Sequence, residues 1–191
     1  MNELEFSIAC PSDASKLLEI YAPYITDTAI TFEYEVPSVP EFSQRIEKIL
    51  TSYPFIVAKR DNKFIGYAYA SAFKERAAYD WAVEVSVYVA QNEHGRGVGK
   101  ALYAKLEDIL KVMGVLNLNA CISVSSQNDE FLDDTSVRFH EHLGYELVGE
   151  FKQCGFKFGR WYNMIWMQKM IGEHTSKPTK VRKFSELEDK L

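Results

Sequence analysis

The sequence predicts an α/β (α+β) protein, in which helices flank a mixed sheet within one main domain. The chain has 191 residues, and domains are typically about 100–200 residues long. Stretches with strand alternation and stretches with helical periodicity follow each other in an order that neither alternates regularly nor separates into two blocks. With 47% hydrophobic and 26% charged residues, the composition is that of a globular chain. Collagen-like, mucin-like and coiled-coil architectures are therefore excluded.

The first fifty residues predict a short strand and two helices. Residues 6–9 are mostly apolar and suit a strand, and Pro11 opens a helix. A second helix is expected after Pro40, because apolar residues recur there at helical spacing. The aromatic-rich stretch between the two helices, residues 22–38, is expected to be an irregular loop.

The middle of the chain predicts three strands. Residues 55–59 and 64–70 are β-rich runs around the turn-forming residues 60–63, which indicates an antiparallel hairpin. Residues 81–89 alternate, so that one face of this strand carries Glu84 and the other face a row of valines. That row consists of Val83, Val85, Val87 and Val89.

The last half of the chain predicts two helices and three strands. One helix begins near Val98, carries an apolar stripe and ends at Gly114. The other elements are a strand over 119–124, a helix over 136–142, and strands over 145–151 and 160–170. We expect one domain over 1–173, followed by a charged tail over 174–191 that is mobile or carries one marginal helix.

Charge and cysteine content narrow the classes of function. The chain has 22 basic and 27 acidic residues, a net charge of −5, which gives no general attraction to nucleic acid. The three cysteines are widely spaced and the four histidines form no H-x-x-x-H pair, so neither a disulfide framework nor a metal site is expected. No signal peptide or long apolar span is recognisable. We therefore expect a soluble, cytoplasmic protein that binds neither nucleic acid, membrane nor metal.

Three glycines lie between the strand over 81–89 and the helix after it: Gly95, Gly97 and Gly99. Glycines let successive backbone N–H groups turn inward, and a helix start adds the positive end of its dipole, so this arrangement is typical of a phosphate site. A Walker loop is disfavoured because Ala101 follows Lys100. The dinucleotide pattern G-x-G-x-x-G is disfavoured because Lys100 and Leu102 occupy the place of its last glycine.

The segment from His94 to Gly99 resembles the acyl-CoA pyrophosphate loop of the GNAT superfamily of N-acetyltransferases, Q/R-x-x-G-x-G/A. Both defining glycines are present, whereas His94 takes the place of the usual glutamine or arginine. The resemblance implies that this loop binds the diphosphate of coenzyme A through the backbone amides of Gly95, Arg96, Gly97, Gly99 and Lys100. An ordinary glycine-rich turn is the alternative.

Longer segments resemble the phosphinothricin acetyltransferase subgroup of that superfamily, over most of residues 5–170. They are KERAAYDWAVEVSVYV at 74–89, SVRFHEHLGY at 136–145 and GFKFGRWYNMIWMQ at 155–168. The resemblance implies the GNAT fold, a twisted mixed sheet whose two central strands splay apart to admit coenzyme A. It also implies a homodimer, and acetyl transfer from acetyl-CoA to the α-amine of phosphinothricin, methionine sulfoximine or a related small amino acid.

Two side chains are candidates for the chemistry of acetyl transfer. An α-amine with a pKa of about 8 is mostly protonated at pH 7 and needs a base. Glu84 lies opposite the valines and matches the glutamate proposed as base in the subgroup; a solvent-facing glutamate is the alternative. His140 matches a histidine treated as catalytic there, as acid or as base, and the alternative is a surface histidine. His142 is expected at the surface.

The subgroup resemblance also implies the residues that hold the amino-acid substrate. They are Lys74, Arg76 and Tyr79, with Phe32 as a wall of the pocket. In an acidic protein, cations at the site suit the carboxylate or phosphinate of a small anion. A solvated charged loop is the alternative for the first three residues, and core packing is the alternative for Phe32.

The pantetheine arm of the cofactor is expected along the backbone of Val87 and Val89, by the same resemblance. The subgroup has an asparagine three residues before Ser136, whereas Asp133 stands there in this chain. Asn128 is the corresponding candidate, separated from that position by an inserted EFLDD segment. No metal is required, because backbone N–H groups can polarise the thioester oxygen.

Two other functions stay open from the sequence. Acetylation of a peptide or protein N-terminus would favour a long open groove over a pocket capped by Arg76. A GNAT domain that only binds acyl-CoA would need neither Glu84 nor His140, so the presence of both favours an enzyme. The sequence therefore predicts an acetyl-CoA-dependent N-acetyltransferase that acts on a small amino acid or analogue.

Overall fold

The computed structural model describes residues 3–187 and has a seven-stranded sheet. The strands are β1 (Glu5–Ile8), β2 (Phe55–Arg60), β3 (Lys63–Ala72), β4 (Ala82–Val89), β5 (Asn117–Val124), β6 (Glu146–Lys157) and β7 (Arg160–Met170). Their order across the sheet is β1-β2-β3-β4-β5-β7-β6. Neighbours are antiparallel except β4 and β5, which run parallel. The mixed sheet expected from the sequence is confirmed.

Four helices cover the two faces of this sheet: α1 (Ala14–Thr26), α2 (Val39–Leu50), α3 (Val98–Met113) and α4 (Thr135–His142). The valine face of β4 belongs to one core cluster with α3, in which Val83 and Val85 join Leu102. Helices α1 and α2 form a second cluster with Tyr67 of the sheet. None of the helices among residues 3–187 is long and apolar enough to cross a membrane.

Helix α1 is longer than the sequence predicts. The loop expected over 22–38 begins only after Thr26, and Pro23 lies inside the helix. A proline in a helix removes one backbone hydrogen bond. Tyr24 and Ile25 are only 6% and 1% exposed, so burial of these two side chains offsets that loss.

Strand β6 also extends beyond its predicted end at residue 151. It pairs with β7 as far as Lys157, across an irregularity between Phe151 and Gly155. Gln153 within that irregularity has a left-handed φ of 50°, which is typical of an inserted residue that bends a strand. The other strands, and helices α2 to α4, lie within two residues of their predicted limits.

The parallel pair of strands parts soon after it begins. Residues 82–84 of β4 pair with residues 117–119 of β5, and the register ends there. Beyond Glu84 each strand keeps only its outer neighbour, β3 for β4 and β7 for β5. The two central strands therefore splay as expected, and Glu84 lies where they part.

Residues 174–187 pack against the domain, whereas the sequence predicts a charged tail that is mobile or carries one marginal helix; Phe184–Glu186 form a short 3-10 helix. Phe184 is 1% exposed and Leu187 is 6% exposed, and both belong to the core cluster of α3. The backbone N–H of Arg182 donates to the last residue of α3 (2.9 Å). These contacts contradict mobility for this part of the chain because they bury its apolar side chains. Residues 188–191 lie outside the described residues.

Candidate active site

The splayed strands enclose a narrow cavity of about 70 Å³ in the middle of the sheet, which we call the gap. Its walls come from β4 and β5, from α3 and α4, and from the loop after α1. Its lining includes Val87, Tyr103, Ser123, Ser136 and His140. Strands that part in mid-sheet leave backbone groups without a strand partner, and an extended ligand can pair with such groups.

The gap side of β4 is an open backbone edge. Val89 faces Gly66 in the register with β3, and the next amide, the Ala90 N–H, donates to the carbonyl oxygen of Ile65 (2.9 Å). In an antiparallel ladder this makes Val89 a non-hydrogen-bonded position, whose N–H and C=O point away from β3. Val87, two residues earlier, has the same orientation. Both residues therefore turn their backbone groups away from β3. Val87 lines the gap, whereas the N–H and C=O of Val89 both contact the Tyr24 hydroxyl, so the pantetheine contact of Val89 stays a prediction.

Ser123 on the opposite wall has a buried hydroxyl with no hydrogen-bond partner among the described protein atoms. Buried polar groups nearly always have a partner, so this hydroxyl indicates where a polar group of a ligand fits. The open edge of β4 and the free hydroxyl on β5 face the same narrow gap. This arrangement fits the amide-bearing pantetheine arm of coenzyme A.

The glycine loop leads from the gap into α3. Gly95 and Gly97 have left-handed φ angles of 73° and 79°, and a Cβ at either position would meet nothing within 4 Å. The backbone conformation, not crowding, is therefore what requires glycine. Gly97 is the N-cap of α3, which leaves the first N–H groups of the helix available to an anion. The carboxylate of Glu93, just before the loop, forms an ion pair with Arg60, and the guanidinium of Arg96 lies 3.6 Å from the same carboxylate.

Three further residues of the predicted cofactor loop have distinct surroundings. A Cβ at Gly99 would lie 3.3 Å from the Phe139 ring, so this glycine allows α4 to approach α3. Lys100 borders a separate cavity of about 260 Å³ behind α3. His94 is exposed, and its Nε2 lies 2.8 Å from the hydroxyl of Tyr24. The loop is therefore anchored on both sides by neighbouring helices.

Glu84 lies at the vertex of the splay, on the face opposite the valines. Burial raises the pKa of its carboxyl above the usual value, and the ammonium of Lys74 partly opposes this rise. Its register partners are Ser71 on β3 and Asn119 on β5. A half-buried carboxylate with a raised pKa, at the point where two strands part, has the properties of a general base.

His140 is 4% exposed and lies between α3 and the gap. Its Nδ1 is 2.7 Å from the carbonyl oxygen of Ser136, so Nδ1 carries the proton and donates it there. Nε2 is then the acceptor for the Tyr103 hydroxyl, 3.1 Å away. Burial lowers the pKa of His140, and the Ser136 carbonyl opposes this effect. The imidazole is therefore neutral at pH 7, and its unprotonated Nε2 accepts the hydrogen bond of the Tyr103 hydroxyl. The other histidine of this helix, His142, is exposed as predicted.

The loop over 73–81 brings predicted substrate residues to the Glu84 side of the sheet. The Nζ atom of Lys74 lies 4.9 Å from the centroid of the Phe73 ring, and the Tyr79 ring lies 6.0 Å from the same ring. Arg76 is exposed on this loop. The charge of Lys74 acts on Glu84 and opposes the rise in the pKa of its carboxyl, whereas the Arg76 side chain is exposed to solvent.

A larger, mostly apolar cavity of about 620 Å³ opens beside Glu84. Ala82 and Asn119 line it, and both are neighbours of Glu84 on the same face of the sheet. Trp166 from β7 and His174 from the C-terminal segment form other parts of its wall. There is therefore room for the side chain of an acceptor molecule next to the candidate base.

Phe32 does not line the gap; its ring covers Gly155 on β6, where an added Cβ would lie 2.3 Å from it. Lys157 is 2% exposed and donates to the carbonyl oxygens of Thr28 (2.8 Å) and Thr31 (2.7 Å). Burial lowers the pKa of this lysine. The two bonds from Lys157 fasten the loop to β6 just before Phe32, and the Tyr34 hydroxyl, which donates to the carbonyl oxygen of Phe156, fastens it just after.

Asn128 is exposed and lies outside the residues that line the gap. The inserted segment after it docks on the β6–β7 hairpin, where Phe131 stacks on Phe158 with ring centroids 4.1 Å apart. Arg160 of the same hairpin pairs with Asp129 (3.0 Å). The insertion therefore holds this loop against the hairpin, and the contact of Asn128 with the cofactor stays a prediction.

Reasoning from the sequence does not find Tyr103 or Ser123. Tyr103 lies 37 positions from His140, and Ser123 is one of many serines in the chain, so only tertiary packing brings them to the gap. One signal was available for the tyrosine: it lies on the buried side of α3 next to Leu102, and a buried tyrosine hydroxyl needs a partner.

Comparison with known proteins decides the family. The family model for the acetyltransferase (GNAT) domain matches residues 6–166. The chain belongs to the GNAT acetyltransferase family. This GNAT protein is 31% identical over 166 residues to the phosphinothricin N-acetyltransferase of Streptomyces viridochromogenes, with 87% of each chain covered.

Two further relatives agree with the GNAT assignment. The L-methionine sulfoximine/L-methionine sulfone acetyltransferase of Salmonella typhimurium is 28% identical, over 86% of this chain and 93% of the relative. The crystal structure of a GNAT superfamily phosphinothricin acetyltransferase from Sinorhizobium meliloti in complex with acetyl-CoA is 36% identical. It superposes with a TM-score of 0.83, over 92% of this chain and 93% of that one. The expected family and fold are confirmed.

The contact between Phe32 and Gly155 in this GNAT protein can be tested by substitution. Gly155→Ala places a methyl group inside the Phe32 ring, so we expect a loss of about 1–3 kcal/mol in the free energy of unfolding, measured by urea denaturation. Gly149→Ala on the same strand is the control, because a Cβ there meets nothing within 4 Å. Equal stability of the two variants would contradict the contact.

Proposed function

We propose that this protein transfers the acetyl group of acetyl-CoA to the α-amine of a small amino acid or amino-acid analogue, of the phosphinothricin and methionine sulfoximine type. The observation that carries the proposal is the gap between β4 and β5, which has a half-buried glutamate where it begins and the glycine loop where it ends. The names of the relatives support the class of acceptor. A domain that only binds acyl-CoA would have no use for the buried base.

The cofactor is proposed to lie along the open edge of β4 with its diphosphate in the glycine loop. The backbone amides of the loop and of the first turn of α3 bind the diphosphate, and the helix dipole adds to this attraction. The residues proposed for this contact are Gly95, Arg96, Gly97, Gly99 and Lys100. The backbone groups of Val87 and the hydroxyl of Ser123 are the partners for the amides of the pantetheine arm.

Glu84 is proposed to take the first proton from the substrate ammonium. The neutral amine nitrogen then attacks the thioester carbonyl, the C–N bond forms and the C–S bond breaks. Overall, an ammonium and a thioester give an amide, a thiol and one proton, and Glu84 passes that proton to solvent. The raised pKa of its carboxyl brings the carboxylate closer in basicity to the amine, which favours this transfer.

His140 is proposed to act as a proton acceptor through Tyr103. The Ser136 carbonyl holds the proton on Nδ1, so Nε2 can receive the second proton of the amine by way of the Tyr103 hydroxyl, which lines the gap. The imidazolium then returns this proton along the same path to the thiolate of coenzyme A. The sequence leaves open whether His140 acts as an acid or as a base. The geometry favours a base before the reaction begins, because Nε2 is then unprotonated.

The acceptor amino acid is proposed to bind between the 73–81 loop and the larger cavity beside Glu84. Lys74 and Arg76 supply positive charge for its carboxylate, in a protein whose net charge is −5. Tyr79 lines this cavity and is the proposed apolar wall, and the cavity holds the side chain. Phe32 packs on Gly155 and lines neither cavity, so its contact with the substrate is proposed from the resemblance alone.

The substrate class is tested by thiol release from acetyl-CoA with a panel of acceptors. We expect turnover with phosphinothricin, methionine sulfoximine and methionine sulfone, and little with spermidine or a short peptide. Turnover on the peptide alone would replace the proposal by N-terminal acetylation. Binding of acetyl-CoA without turnover on any acceptor would indicate a non-catalytic domain.

The role of Glu84 predicts a specific kinetic defect. Glu84→Gln keeps the size and polarity of the side chain but cannot accept a proton, so kcat should fall about 100-fold or more while the KM for acetyl-CoA stays near that of the wild type. Steady-state kinetics at several pH values measure both constants. A change confined to KM would remove Glu84 from the role of base.

A homodimer is proposed from the exposed apolar residues of the edge strand β6. Leu147 and Val148 are each 63% exposed, and Phe151 is 57% exposed. Strand β6 is also at the edge of the sheet, so one side of its backbone has no neighbouring strand among the described residues. Edge strands of this kind are usually covered.

A cytoplasmic location is proposed as well, because the three cysteines are free and exposed, which suits a reducing compartment.

Sedimentation of the purified protein tests the dimer. We expect a dimer for the wild type and a monomer for Val148→Lys, because a charge at the centre of the apolar strand would be buried without a partner. Val112→Lys is the matched control, since Val112 is also an exposed valine (57%) but lies on α3. A monomeric wild type would contradict the proposal.

A further inference from the structure

The hydroxyl of Tyr24 lies at the end of β4, where the open edge meets the glycine loop. Tyr24 belongs to α1 and is only 6% exposed. Its hydroxyl donates to the carbonyl oxygen of Val89 (2.6 Å), and the Val89 N–H approaches the same hydroxyl (3.3 Å). One phenol therefore contacts both backbone groups of the last residue of β4.

His94 completes this contact from the other side. Its Nε2 lies 2.8 Å from the Tyr24 hydroxyl and 3.1 Å from the Val89 carbonyl oxygen. Since the single proton of the hydroxyl is donated to Val89, Nε2 must carry a proton and donate it. A side chain of α1 and the residue that opens the loop thus converge on one peptide group.

From this geometry we infer that Tyr24 and His94 are positioning residues for coenzyme A. The inference rests on the proposed function, because it assumes that the cofactor lies along β4 and in the loop. Val89 is the last residue of β4, and the left-handed turn at Gly95 follows six residues later. The orientation of the Val89 peptide therefore sets the direction in which the loop amides leave the strand.

The packing of Tyr24 suits it to hold this peptide. Its ring lies edge-on to Tyr88, with centroids 5.1 Å apart, inside the core cluster of α1 and α2. The loop itself has conformationally free glycines at Gly95 and Gly97. Without the hydrogen bonds from the buried Tyr24 hydroxyl, the end of β4 would have fewer constraints. Part of the binding free energy of the cofactor would then be spent on ordering this strand end.

Isothermal titration with coenzyme A, using the full chain, tests this inference without any acceptor. Tyr24→Phe should raise the Kd about fivefold, the effect of one net hydrogen bond. Tyr21→Phe is the matched control: Tyr21 lies one turn earlier on the same helix, is 5% exposed, and bonds to Thr31 and Glu33 instead. Its Kd for coenzyme A should equal that of the wild type.

The exposed partner His94 provides a second variant that does not threaten folding. His94→Leu should raise the Kd for coenzyme A as Tyr24→Phe does, and the Kd of the double variant should be little higher than that of either single variant. His94→Gln should bind coenzyme A like the wild type, because the glutamine amide can donate the hydrogen bond that leucine cannot. In steady-state assays, these losses should appear in the KM for acetyl-CoA and not in kcat. If both Tyr24→Phe and His94→Leu bind like the wild type, the inference is wrong, whereas a wild type that does not bind coenzyme A would refute the proposed function instead.

Discussion

The parting of β4 from β5 is the constraint on which the rest of the structure depends. A sheet that opens in its middle turns backbone N–H and C=O groups toward a space where no strand can pair with them, and leaving such a group buried without a partner costs about 1–3 kcal/mol. The opening persists because β4 keeps its pairing with β3 along its length and β5 keeps its pairing with β7. What enters the gap must then supply hydrogen bonds in an extended geometry.

The two candidate catalytic groups lie at different parts of the opened sheet: Glu84 where the strands part, and His140 in the lining of the gap. Glu84 lies on the face covered by α1 and α2, whereas His140 packs with Tyr103 on the face covered by α3. Burial acts on them in opposite directions, because it raises the pKa of the carboxyl and lowers the pKa of the imidazole. The raised pKa brings the Glu84 carboxyl closer to the pH at which a protonated amine loses its charge, whereas the lowered pKa keeps the His140 imidazole neutral and able to accept a proton.

Local patterns in the sequence were sufficient for most of the sheet and for the positions of Glu84 and the glycine loop in it. The alternation of valines around Glu84 places that carboxylate opposite the core, and the glycines after β4 define a phosphate-binding turn, since both signals are carried by neighbours in the chain. Contacts between distant segments could not be predicted in this way. Lys157 bonds to carbonyl groups more than 120 positions away, and no periodicity marks a lysine that will be buried.

The C-terminal segment shows the same limit and has a further consequence. Its charged composition indicates a tail, yet Phe184 and Leu187 complete the core beneath α3. A chain growing from the ribosome therefore cannot close this core until residue 187 has left the exit tunnel, some seventeen residues after β7 has ended. Until then the nascent domain exposes the apolar surface that these two side chains later cover, so premature termination shortly after β7 would release a chain prone to aggregation and degradation.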